Sequence, residues 1–280
     1  MNKKFCGCLF ALAIFCLSGH ETQAASITWN NTATDYNAGG SWTGLAAPGV
    51  NDNATFTGSA GAFLPSLTGS ITNQGLTFST TASSGYMLSA GVGSLTLTNV
   101  GTSTNSAINA LNTSGTNTIS APIILGGAAA TTATFTQAAG GTLNLSGNIS
   151  STAAIAGLAL TGSNGRIFTL SGSNSYSGDT STGSSAGITL NLNNANALST
   201  GALVLGVNLS IDNTTASAIT LANNNINLSG GSLTFVGTRD LSFGSGTATL
   251  SGNNRTITTS ARILTIGSID ADTTARILTN

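Results

Sequence analysis

Apolar residues in this chain arrive at every second position, in bursts of four to six, and that spacing constrains the fold more than any other feature. The bursts read "SLTLT" at 94–98, "TLNLS" at 142–146, "LALTG" at 158–162, "ITLNLN" at 188–193, "SLTF" at 232–235 and "RILTI" at 262–266. Alternation over so short a length, bounded by Gly, Asn and Ser, is the pattern of a strand with one face buried. The intervening residues are saturated with Thr, Ser, Asn and Gly, which are poor helix-interior residues. An all-β chain of many short strands is expected.

Two architectures use such strands, a sandwich or barrel and a β-solenoid. Three observations favour the solenoid. One phrase returns in loose copies, "GGTLNLSGNIS" at 140–150, "GRIFTLSGSNS" at 165–175 and "GTATLSGNN" at 246–254, as stacked turns of similar shape require. Aromatic residues make up only 5% of the chain, whereas sandwich cores lean on Trp and Tyr. The third observation is charge. Beyond residue 24 there is no Cys, His, Lys or Glu, only five arginines and seven aspartates, a net of −2. In a parallel solenoid equivalent positions stack about 4.8 Å apart. Like charges at that distance repel by roughly 0.9 kcal/mol even in water, while columns of Asn or Thr hydrogen-bond along the stack. Low charge with regular Leu, Ile and Val placement also opposes disorder.

The first 24 residues read as a secretory signal. Met1-Asn2-Lys3-Lys4 is a basic start, Phe5 to Leu17 is mostly apolar and too short to span a bilayer, and Thr22-Gln23-Ala24 offers a cleavage site after Ala24. Cys6, Cys8, Cys16, His20 and Glu21 all lie inside it. The remaining 256 residues therefore form no disulfides and depend on a core. The same inventory excludes a Ser-His-Asp triad, a cysteine nucleophile, a His/Cys zinc site and a P-loop lysine. Five scattered arginines make no nucleic-acid surface, and no later apolar run is long enough for a membrane helix.

The chain then divides into residues 25–80, an N-terminal cap with the first strands, and residues 81–280, a solenoid. The array as a whole is on the order of ten turns. Trp29, Trp42, Tyr36, Pro48 and Asp52 set the first segment apart, and an open solenoid end needs such a cover. At the far end "RILTIGSID" and "RILTN" read as further turns.

The clearest repeat lies at 157–206. It holds a leucine-rich strand ending in Gly (Leu170 to Gly172), the turn Asn174-Ser175-Tyr176-Ser177-Gly178, a threonine-rich strand (Thr180 to Thr182), and Asn196-Ala197-Leu198 followed by Gly201. This phrase resembles the autotransporter-associated β-strand repeat of exported bacterial surface proteins, and "ITWNNTATDYNAGGSWTGLAAPGVNDNATF" looks like the leader of such proteins. Asp179 departs from a more usual glycine, and Gly187 to Leu190 is one residue longer than the usual Gly-Thr-Leu. The C-terminal hundred residues carry only Phe235 and Phe243 as aromatics, unlike the girdled strands of an outer-membrane barrel. The resemblance implies a right-handed parallel β-helix, a passenger at the cell surface or outside the cell, and no catalytic residue.

Asp270-Ala271-Asp272 is the most enzyme-like feature. Residues i and i+2 of a strand sit roughly 6.6 Å apart on one face, near the lower end of the roughly 6.5–9.5 Å carboxylate separation of inverting glycosidases. The plainer interpretation is a polar turn. Tyr176 is a candidate sugar-stacking residue, or else packs over the turn between rungs. Arg239-Asp240 point to opposite faces if they lie in a strand. Arg166, Arg262 and Arg276 each open an Arg-Ile strand phrase and read as solvated strand starts, and Trp29 and Trp42 read as cap residues. No calcium nonapeptide is present. The expectation is an exported, non-catalytic display module for adhesion or matrix contact, without cofactor or metal, with a surface or matrix component such as a polysaccharide as partner. The alternative is a secreted polysaccharide-binding or polysaccharide-cleaving β-helix protein.

Overall fold

The computed structural model describes residues 25–80, 85–100, 106–126, 131–152, 157–183, 187–271 and 278–279. The proposed signal, Asp272 and Arg276 lie outside them. The chain is an all-β coil of about nine turns whose strands pair in parallel with the turn before and the turn after. Among the described residues one 3-10 turn, Gly39–Ser41, interrupts it. No helix among the described residues is long and apolar enough to cross a membrane.

From Met87 onward, successive turns contribute strands to each of two long sheets. The first sheet has 11 strands, from Ser26–Thr28 and Asn53–Phe56 through Thr132–Gln137, Gly157–Gly162, Asp179–Thr182 and Leu203–Leu205 to Ser268–Ala271. The second has 9, from Met87–Leu88 and Thr116–Ile119 through Thr142–Leu145, Arg166–Leu170, Ile188–Leu192, Leu209–Asp212 and Leu233–Phe235 to Arg255–Thr259 and Leu278–Thr279. Register fixes the turn length. Along the second sheet, equivalent inward positions recur after 25 residues (Leu143 to Phe168), 22 (Phe168 to Leu190), 21 (Leu190 to Ile211) and 24 (Ile211 to Phe235).

The third side is discontinuous. Strands Ile71–Asn73, Leu95–Leu97, Ile123–Leu125 and Ile149–Ser151 form one small sheet there, and Ile219–Thr220, Leu241–Ser242 and Leu264–Thr265 form another. Between them this side is built from turns, including those at 171–178 and 193–202 of the quoted repeat.

Alternation explains the core. Leu143, Phe168, Leu190, Ile211 and Phe235 stack inward and are fully buried, while Thr142, Thr169, Asn191 and Thr234 face outward from the same strands. Burying a Leu or Phe contributes about 1.5–3 kcal/mol relative to leaving it exposed. Hydroxyl stacking is realised outside. Thr136 hydrogen-bonds Ser106 at 2.5 Å and Thr161 at 3.0 Å, and Ser26 meets Thr55 at 2.6 Å.

The aromatics concentrate at one end. Trp42 lies edge-on to Trp29 with ring centroids 5.0 Å apart and to Tyr36 at 4.8 Å, and Phe56 extends the cluster to Tyr86 at 5.0 Å and Phe78 at 5.3 Å. Both tryptophans are buried, and they pair through an antiparallel bridge.

Candidate functional site

The repeat that stands out in sequence supplies strands to both long sheets, and its turns at 171–178 and 193–202 form the strandless stretch of the third side. Its residues are occupied in joining successive turns. Gly172 lies directly over Gly147, where a Cβ would overlap the Gly147 carbonyl oxygen, and Gly201 is pressed in the same way onto Gly178. Side chains are excluded because the backbones approach too closely.

Asn174, only 5% exposed, works in both directions along the stack. Its Oδ1 accepts from the Ile149 N–H at 2.8 Å in the turn below, and its Nδ2 donates to the Ala197 carbonyl at 2.7 Å in the turn above. The amide does what a strand's own N–H and C=O do elsewhere in the coil. Ala197 and Leu198 are buried, whereas Asn196 is exposed and donates to Ser173 Oγ at 3.0 Å.

Tyr176 is fully buried, so its ring offers no face to a sugar; it packs between turns. Its hydroxyl bonds Thr180 Oγ1 at 2.5 Å, and its carbonyl accepts from Ser199 Oγ at 2.5 Å. Burial pushes the phenol up to about 12, against the opposing effect of the Thr180 bond. Thr180 and Thr182 point inward and are buried, so the threonine-rich strand here turns its polar residues into the core.

Asp270 lies in the last strand of the first sheet, with that strand exposed throughout. It stacks outward over Thr249, and its Oδ1 accepts from the Ala271 N–H at 2.8 Å. A strand, rather than a turn, therefore carries this carboxylate. The described residues contain no group of three or more His, Cys, Asp or Glu placed to hold a metal, and the second carboxylate of the sequence pair, Asp272, lies outside them. Arg239 and Asp240 lie in a loop and serve different turns. Arg239 Nε donates to the Ala216 carbonyl at 3.2 Å, and Asp240 Oδ1 accepts from the Ile263 N–H at 3.1 Å.

Arg166 corrects its sequence reading. It is fully buried rather than solvated, because it shares parity with the inward Phe168 and Leu170. Its Nη1 donates to the Gly162 and Ser163 carbonyls at 2.8 and 2.6 Å, and burial lowers its pKa. Below it, at the same corner, lie the buried amides of Gln137 and Asn112. Gln137 Nε2 donates to the Asn112 carbonyl at 3.0 Å. A Cβ at Gly141 would overlap Gln137 Nε2 and crowd Asn112 Nδ2. Composition gives no sign of this polar corner, but parity at Arg166 and Gln137 does.

Asp212 was likewise absent from the sequence reading. Buried to 4% exposure, it accepts from the Asn213 and Thr238 N–H groups at 2.9 and 2.8 Å and from the Thr238 hydroxyl at 2.6 Å.

Comparison with known protein families, with curated proteins and with solved structures returns no match.

Proposed function

We propose that the chain is an exported, non-catalytic structural module, displayed at the cell surface or in the extracellular matrix for adhesion. In this reading the coil is right-handed, as the resemblance to autotransporter-associated repeats implies, and the aromatic cluster of Trp29, Tyr36, Trp42, Phe56, Phe78 and Tyr86 closes its N-terminal end.

One observation carries the proposal. The repeat residues that would be the first places to look for chemistry, Gly172, Asn174, Tyr176 and Gly201, are spent on holding one turn to the next. What such a coil offers its surroundings is length, rigidity and a regular exterior of hydroxyls and amides.

Protease shaving of intact cells, followed by assay of surface, periplasmic and medium fractions, tests the reading. The expected result is a surface-associated chain that is shaved away while cytoplasmic markers stay intact. Retention in the periplasm, or release into the medium with soluble sugar produced from a polysaccharide, would overturn it.

A further inference from the structure

The outward face of the second sheet carries one column of hydroxyls unlike any on the first. In register across seven successive strands it reads Thr116, Thr142, Ile167, Thr189, Ser210, Thr234 and Thr258. Every member is at least partly exposed. None of the six hydroxyls bonds another described residue. The corresponding columns of the first sheet are interrupted. There Thr55, Thr136 and Thr161 bond their neighbours, Ala159 and Val204 are apolar, and Asp270 is charged.

The face is also emptied of charge, although three charged residues belong to its strands. Arg166 is buried within the coil, and Asp212, at an outward register position beside Asn191, is covered and bonded by Asn213 and Thr238. Arg255 turns at the corner to the carbonyls of Leu228, at 2.9 Å, and Ser229. The neighbouring outward column, Thr118, Asn144, Thr169 and Asn191, is uncharged up to Asp212.

We propose that this face docks an extended, uncharged, hydroxyl-bearing polymer, a neutral polysaccharide chain lying along the column. The inference rests on the display function above and specifies its partner. Anionic polymers find no cation here and would lose hydration without compensation. A peptide strand needs free backbone groups, and those of the inner strands are used in parallel pairing on both sides. A lipid surface needs an apolar face, and Ile167 is the column's one apolar member. A sugar chain supplies what is left, hydroxyls that both donate and accept, and C–H surface for Ile167.

The column spans about 29 Å at 4.8 Å per strand. A single hydroxyl contact contributes roughly 0.5–1.5 kcal/mol net, so binding depends on many contacts made together. Long chains should bind, short oligosaccharides should compete poorly, and salt should have little effect.

The test is retention of the full exported chain on insoluble cellulose and chitin, and on anionic alginate, at low and high salt. The triple variant Thr142→Val, Thr189→Val and Thr234→Val removes hydroxyls while keeping branched strand formers, so folding is preserved. It should bind the neutral polymer about tenfold more weakly or worse, as loss of about 1.4 kcal/mol or more requires. A control pair on the first sheet, Thr134→Val and Thr249→Val, should bind as the parent does. Retention on neither neutral polymer, retention on alginate alone with loss in high salt, or equal losses in both variants would overturn the proposal. A chain found at the cell surface but not retained refutes this docking face alone. A chain that is retained but found only in the periplasm refutes the display reading alone.

Discussion

The two asparagines of the repeat provide the sharpest check on how this coil is held together. Asn174 and Asn196 read alike in sequence, yet Asn174 bridges three turns from a buried position while Asn196 makes one exposed contact. Asn174→Ala strands the Ile149 N–H and the Ala197 carbonyl, both at the buried interface between turns. An unsatisfied buried group costs about 1–3 kcal/mol, so the expected loss for the two groups is roughly 2–6 kcal/mol. Asn196→Ala loses one solvent-competing bond and should stay within about 0.5 kcal/mol. Asn174→Asp retains an acceptor for Ile149 but cannot donate to Ala197, and it buries a charge. It should be no more stable than the alanine variant.

Urea denaturation followed by circular dichroism measures all three differences. Coils of stacked units need not unfold in one step, so hydrogen exchange at Ile149 and at the flanking strands should accompany it. Asn174→Ala should raise exchange locally, across the turns it joins. Equal losses for Asn174→Ala and Asn196→Ala would refute the claim that a side-chain amide replaces strand pairing on the third side.

Further outcomes follow from the same contacts. Tyr176 has a folded pKa of about 12 against 10.0 when unfolded, because its buried phenol resists ionisation. Its contribution of about 2–3 kcal/mol is fully present below pH 10 and lost as pH rises towards 12. Alkaline melts should show this decline, and Tyr176→Phe should lessen it by that amount, the part owed to the buried phenols of Tyr36 and Tyr86 remaining. Gly201→Ala forces a Cβ into the Gly178 carbonyl and should cost about 3 kcal/mol or more, read as an earlier urea midpoint. Arg166→Asp leaves the Gly162 and Ser163 carbonyls without their donor and buries an unpaired carboxylate, and should cost at least about 3–5 kcal/mol. Arg262→Asp, at an exposed position, should be nearly silent in the same melts.

The strands were legible because a two-residue period leaves no other way to bury Leu143, Phe168 and Leu190 together while Thr142 and Thr189 stay wet. The third side was not, since its pairing between Ile149 and Ile219 passes through Asn174, whose amide geometry has no period. Sequence resemblance also misled in one place. The phrases at 140–150 and 165–175 do stack, with Leu143 over Phe168, but "GTATLSGNN" supplies Thr247–Leu250 to the first sheet instead. A short apolar burst identifies a strand without saying to which side of a coil it belongs. At Arg166 two rules conflicted. Composition favoured solvent, parity with Phe168 and Leu170 favoured the interior, and parity prevailed because the glycines at 141 and 162 make room at that corner. For the docking face, the single residues were ordinary, and only register showed that six hydroxyls form one column.

The variable turn length has a consequence for how such a chain changes over generations. From Phe168 to Leu190 to Ile211 the coil closes after 22 and then 21 residues, and the slack is taken up at corners and on the irregular third side. Gain or loss of a residue in those places is absorbed locally. The same change inside a strand exchanges core and surface for the rest of that strand. Duplication or excision of a whole turn rejoins both long sheets in phase. The length of this molecule is thus free to vary in steps of one turn, each step moving the surface outward by about 4.8 Å while the cross-section stays the same.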